Sequence, residues 1–268
     1  YKRLIQINKQ NSFEKSEIEF TKEENKITHY KPDKSVSNRI FNKLKTPFTL
    51  VAKTISETAR FLKPYGEFVM EEGKAIGLTY FKERGFTLET IQKFSLGYSL
   101  DQWGAFTDAA IKKGYQLEFL EKTGLTIIKG EKQFDRFKGR VIFPILSMSG
   151  RTLGFGGRIL TNDKKAAKYL NSPESDIYHK SDVLYGIYQA KQAIAKEDNC
   201  YLVEGYTDVI QFNQTGITNV VSSSGTALTP NQIRLISRLT NNITVLYDGD
   251  EAGLRASIRG IDLILEQG

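Results

Sequence analysis

Two stretches near the end of this chain share one pattern of apolar and polar positions. Residues 200–210, CYLVEGYTDVI, and residues 242–253, NITVLYDGDEAG, each carry a short run rich in Val, Ile and Tyr into carboxylates and glycine, then return to helical spacing. Each predicts a strand, an acidic turn and a helix. Between them, NVVSS at 219–223 predicts a further strand, and the glycine-containing SGTALTP leads into a helix with Pro230 in its first turn. Upstream, RVIFPIL and TLGFGGRI, joined across SMSG, predict a β hairpin over 140–160. Helical spacing covers 72–85, stopped by Gly85, and 87–94 with Thr87 as N-cap, then about 104–114 and 116–123. GYSLDQWG at 97–104 reads as a connection that places Trp103 in the core. Residues 1 to about 45 are polar, with one candidate strand at LIQI, and 49–72 has helical spacing interrupted by Pro64 and Gly66. The expected architecture combines α/β and α+β: an extension of unclear structure at 1–71, a mixed subdomain at 72–185, and a parallel α/β unit at 186–268.

The acidic turns carry the chemistry. In an open parallel sheet, active groups collect where strands end at their carboxyl edge. Glu204, Asp208, Asp248 and Asp250 are therefore expected on one rim, where mutual repulsion calls for a cation and hard oxygen donors suit Mg²⁺ or Mn²⁺. Gly205 and Gly249 are expected to let the chain turn sharply and admit a phosphate or hydrated ion. One acidic residue after a strand more often caps the next helix. Two turns, with carboxylates spaced i, i+4 and i, i+2, favour a metal-dependent phosphoryl or nucleotidyl transfer site.

Charge is divided along the chain. Residues 129–180 hold eleven Lys or Arg against five Asp or Glu, whereas 197–268 hold four against nine. A nucleic-acid polymerase needs that division, with cations for phosphates and carboxylates for metal. The net charge of +7 agrees with it. Arg140 precedes an apolar run and should open a buried strand. Arg158 closes GFGG, whose glycines should admit a ligand close to the backbone. Lys168 and Tyr169 open KYLNSP, where Tyr169 can stack on a base and Asn171 can hydrogen-bond. Arg136 and Lys138 rank below these, and Lys164 and Lys165 read as a solvated loop. With His29, His179 and Cys200 as the only residues of their types, no zinc site can be built. One thiol excludes a disulfide framework, and Cys200 reads as a small core residue. No apolar stretch is long enough to span a membrane, so a cytoplasmic location is expected.

EGYTD at 204–208 and DGDEAG at 248–253 resemble the first two signatures of a Toprim domain, the metal-binding fold of bacterial primases, topoisomerases and some nucleases. DRFKGRVIFPI (135–145), GFGGR (154–158), KYLNSPE (168–174) and IYHKSDVLYG (177–186) resemble, in order, the core motifs of bacterial DnaG-type primases. The resemblance runs from about residue 72 to the end. It implies an RNA polymerase core that makes short RNA primers on single-stranded DNA from ribonucleoside triphosphates. It further implies two divalent ions on Glu204, Asp208, Asp248 and Asp250, and a cleft facing them lined by Arg140, Arg158, Lys168, Asn171 and Lys180. The family's zinc ribbon and its helicase-binding region are not matched, so the replicative helicase would be reached through a region absent here. The third acidic motif would fall after Gly268. Two alternatives stay open: a catalytically incomplete module that binds single strands, and another Toprim phosphoryl-transfer enzyme such as a nuclease.

Overall fold

The computed structural model describes residues 2–7, 74–161, 166–225 and 227–267. The helical spacing read at 49–72, the polar stretch before it apart from residues 2–7, and the Lys164–Lys165 loop lie outside the described residues.

In chain order the elements are Lys2–Ile7 (β1), Lys74–Glu83 (α1), Leu88–Lys93 (α2), Gly97–Ser99 (β2), Ala105–Lys112 (α3), Leu117–Lys122 (α4), Thr126–Lys129 (β3), Lys132–Asp135 (β4), Arg140–Leu146 (β5), Thr152–Ile159 (β6) and Tyr169–Asn171 (β7). A 3-10 turn at Lys180–Asp182 follows, then Ile187–Glu197 (α5), Cys200–Val203 (β8), Tyr206–Gln214 (α6), Val220–Ser222 (β9), Pro230–Ser237 (α7), Ile243–Asp248 (β10) and Glu251–Glu266 (α8). The predicted helix boundaries have visible causes. Gly85 turns with φ +78°, a conformation glycine adopts without Cβ strain. Thr87 Oγ1 accepts the Thr90 N–H at 3.2 Å and so starts α2. Thr229 does the same for α7, with Pro230 at its first helical position.

One four-stranded sheet runs β1-β10-β8-β9, with β10, β8 and β9 parallel and β1 antiparallel on the edge. A second, antiparallel sheet runs β2-β5-β6-β7, and β3 with β4 forms a separate hairpin. The sequence reading of Gly97–Ser99 as a connection is corrected here. These three buried residues pair with Arg140–Ile142 as an edge strand, too short to show alternation. One apolar cluster joins the sheets: Val141, Phe143 and Ile145 of β5 pack with Val203, Val209 and Val220 of the parallel unit. Tyr185 and Ser222 exchange backbone hydrogen bonds across the same junction at 2.9 and 3.1 Å. Cys200 is fully buried in this unit, as its apolar strand suggested.

Two other expectations are corrected. Trp103 is 68% exposed rather than in the core; the Lys138 ammonium sits 4.7 Å from its ring centroid and Phe134 meets it edge-on. The β6 glycines admit neighbouring side chains rather than a ligand. A Cβ at Gly156 would lie 2.5 Å from the Tyr206 ring, and one at Gly157 would lie 2.7 Å from Phe137. Gly156 thus lets α6 dock its first residue flat against Phe143, with ring centroids 5.1 Å apart.

Candidate active site

The parallel pairing of Val203 with Leu246 and with Ser222 brings the carboxyl ends of β8, β9 and β10 together. Glu204 follows β8 and reaches across to β10, where its Oε1 accepts the Asp248 N–H at 2.7 Å. Its own carbonyl accepts from Ser222 Oγ at 2.7 Å and from the Gly225 N–H at 3.2 Å, so three strand ends are tied at one residue. Asp208, in the first turn of α6, accepts the Gly205 N–H at 3.2 Å. Asp250 caps α8 by accepting the Gly253 N–H at 2.7 Å. Acidic groups at these two helix starts also meet the favourable end of each helix dipole.

The glycine that matters most here is not one the sequence singled out. Gly205 has φ −131°, an extended backbone open to any residue, and a Cβ there would meet only Asp208 Oδ2 at 3.7 Å. At Gly253 a Cβ would lie 2.3 Å from the Asp248 carbonyl oxygen and 2.8 Å from Glu204 Oε1. The absence of a side chain there lets α8 start against the acidic turn.

A cavity of about 770 Å³ opens at this rim, lined by Glu204, Asp208 and Asp248 together with Arg136, Lys168, Tyr169, Asn171 and Lys180. Asp250 lies outside that set. It lines a neighbouring cavity of about 300 Å³ with Arg259, and Glu204 borders both. Of the cationic candidates, Lys168 and Lys180 line the cavity with Tyr169 and Asn171, whereas Arg140 and Arg158 do not. Arg140 is 7% exposed and its Nη1 donates to the carbonyl of Ala167 at 2.9 Å, bracing the turn before β7. Arg158 Nη1 donates to Tyr80 Oη at 2.8 Å, with its guanidinium over the Tyr80 ring and its Nε buried without a hydrogen-bond partner.

Strand β7 is pinned from two sides. Tyr206 Oη donates to Asn171 Oδ1 at 2.7 Å, and Arg136 Nε reaches the Asn171 carbonyl at 3.4 Å. Burial lowers the Arg136 guanidinium pKa, yet the group stays a cation. Burial also pushes the Tyr247 phenol up to about 12, helped by the negative charge of Glu204 and opposed by a hydrogen bond from Ser223. The buried Tyr206 phenol is raised for the same first reason. Sequence reasoning ranked Arg136 low and passed over Ser224 and Gly225, which also line the cavity. Their left-handed backbones, φ +63° and +73°, had no signal beyond one glycine.

All donors at the acidic rim are carboxylate oxygens, the chemistry that hard divalent cations prefer. Among the described residues no three such side chains are already grouped around one ion position. The donor set therefore fits a divalent ion in kind, with carboxylates that hold backbone N–H groups as they stand.

Residues 65–191 match the family model of the DNA primase catalytic core, N-terminal domain, and residues 201–268 match a Toprim-like model. The catalytic domain of the DnaG primase bound to single-stranded DNA superposes with a TM-score of 0.71 at 35% identity, covering 80% of this chain and 70% of that one. The chain belongs to the DnaG-type DNA primase family. A primase from Halalkalibacterium halodurans is 45% identical over 200 residues, which are 74% of this chain and 33% of the relative. The chain thus spans about a third of the length of the curated primases it matches. The zinc-binding and RNA polymerase domains of the Aquifex aeolicus primase give a TM-score of 0.75 at 36% identity, over 80% of this chain and 53% of that one. The mixed α/β architecture seen here is that of primase cores. No helix of this primase core, among the described residues, is long and apolar enough to cross a membrane.

Proposed function

We propose that this chain is the nucleotidyl-transfer core of a DNA primase, joining ribonucleotides into short RNA primers on a single-stranded DNA template. One observation carries the reading: a single cavity is lined both by the carboxylates Glu204, Asp208 and Asp248 and by Arg136, Lys168, Tyr169, Asn171 and Lys180. The basic unit at 72–185 grips phosphate and the unit at 186–268 supplies the carboxylates. Lys168, Lys180 and Arg136 attract the phosphates of template and triphosphate. Tyr169, 42% exposed, offers a face on which a base stacks. Asn171 is held by Tyr206 through its carbonyl oxygen, which aims its amide nitrogen as a donor. Glu204, Asp208 and Asp248, with Asp250 beside them, would hold Mg²⁺ or Mn²⁺. When bound, such ions supply Lewis-acid stabilisation of charge on the reacting oxygens. Arg158 and Arg140 support this wall from behind, one through Tyr80 and the other through the turn before β7. Ribonucleoside triphosphates are the small-molecule partner, and the replicative helicase is a partner proposed for the whole protein in the cytoplasm.

A second reading, a module that binds single strands without completing the chemistry, draws on Glu204, Asp208 and Asp250 each holding a backbone N–H rather than one shared position. Incorporation of labelled ribonucleotides on a single-stranded template, with Mg²⁺ or Mn²⁺, separates the two. Template-dependent product from the wild type and none from Asp248→Ala supports polymerase chemistry. Strand binding without product under either ion supports the second reading.

A further inference from the structure

Gln232 is a completely buried polar side chain on α7, well away from the acidic turns in sequence, and two of its three side-chain hydrogen bonds reach one loop while the third closes the cap of its own helix. Its Nε2 donates to the carbonyls of Lys180, at 3.1 Å, and Val183, at 2.8 Å, and its Oε1 accepts the Thr229 N–H at 3.1 Å. Thr229 Oγ1 in turn donates to the Ser181 carbonyl at 2.6 Å, and Asn231 Nδ2 donates to Asp182 Oδ1 at 2.8 Å. Every residue of the 3-10 turn Lys180–Asp182 is therefore gripped by the first turn of α7 or its cap. The outer face of that turn presents Lys180 to the cavity that also holds Glu204, Asp208 and Asp248. A lysine has four rotatable bonds, and its charge is localised at a phosphate only if the backbone beneath it is fixed. A buried amide facing two carbonyls is costly to disturb, because removing it leaves both acceptors without a donor.

We infer that Gln232 is a positioning residue that fixes the Lys180 turn, so that the ammonium meets the phosphate of the bound strand. The inference rests on the proposed phosphate-binding role of the cavity. Gln232→Glu is nearly the same shape and keeps the acceptor for Thr229, but places a carboxylate oxygen where the two carbonyls need N–H groups. Strand affinity then falls through Lys180 rather than through any contact of its own.

The test measures binding of a fluorescent single-stranded oligothymidylate by anisotropy at several salt concentrations, for the wild type, Lys180→Ala, Gln232→Glu and the double variant, each checked for a cooperative thermal transition. Losing one phosphate contact reduces the logarithmic salt slope by about 0.7. Lys180→Ala and Gln232→Glu are each expected to show that reduction, and the double variant no more than either alone. A wild-type slope in Gln232→Glu beside a reduced slope in Lys180→Ala overturns the inference, as does a reduction that adds in the double variant. A wild-type slope in Lys180→Ala instead removes the phosphate-binding reading of Lys180 beneath it. If Gln232→Glu does not fold, Gln232→Met decides, because it keeps the length of the side chain and removes the amide that holds Lys180 and Val183: a reduced slope supports the inference and an unchanged one refutes it.

Discussion

Asp250 serves α8 as its cap while standing beside the acidic rim, so substitutions there can be chosen to part the two duties. Asn caps a helix about as well as Asp, whereas Ala does not. Asp250→Asn is expected to keep the parent's stability within about 0.5 kcal/mol and Asp250→Ala to lose about 1 kcal/mol, both by chemical denaturation. Mn²⁺ affinity by calorimetry is expected to fall in both; full affinity in the Asn variant would leave Asp250 a cap and nothing more. Asp135 shows the opposite economy, a buried carboxylate with a purely local duty. It accepts the N–H groups of Phe106 and Thr107 at 2.7 and 2.9 Å and so starts α3, while its own N–H holds the Trp103 carbonyl at 2.7 Å. Burial raises its pKa, partly offset by these donors and by the Thr107 hydroxyl. The folded chain thus binds this proton more tightly than the unfolded one. The corresponding stability is fully present below the ordinary carboxylate value and is lost as pH rises through the raised one. Denaturation of wild type and Asp135→Asn at several acidic pH values is expected to show the wild-type advantage shrinking as pH rises, and an advantage that stays flat or grows would contradict the shift.

Element by element, the parts that sequence reasoning found are those that advertise themselves locally. The strands ending in EGYTD and DGDEAG combine a β-branched run, an abrupt acidic turn and a helical return, and β8, β10, α6 and α8 occupy those places. Strands β2 and β7 did not advertise themselves. Each is three residues long and exists because a partner, β5 or β6, offers it a ladder. KYLN was legible as a candidate lining but not as a strand. That the two acidic turns come to one rim was legible, but their division between cavities was not, because whether Asp250 shares a cavity with Asp248 depends on how α8 leaves β10. That departure hinges on Gly253, whose added Cβ would press the Asp248 carbonyl and the Glu204 carboxylate. Gly253→Ala is expected to cost about 1–3 kcal/mol by overpacking and to lower Mn²⁺ affinity as well. Unchanged melting and unchanged ion binding would mean that the start of α8 yields freely.

Across the whole molecule, the proposed function rests on two units of opposite charge meeting over one cavity. Lys168 lies in its lining and Arg158 does not, so their alanine variants should part. Lys168→Ala is expected to lower the salt slope of single-strand binding by about 0.7 with its melting unchanged. Arg158→Ala loses the Tyr80 contact and should melt earlier with less effect on that slope. Equal slopes for wild type and Lys168→Ala would make Lys168 an ordinary surface cation. The central claim, that ion and nucleic acid share this cavity, is tested most directly by paramagnetic broadening of backbone amide signals on titration with Mn²⁺. Signals of residues 204–208 and 248–250 should broaden first, together with those of residues 168–171 from the other unit, and Asp248→Ala should abolish both effects. Broadening confined to the acidic turns, or persisting in the variant, would contradict it.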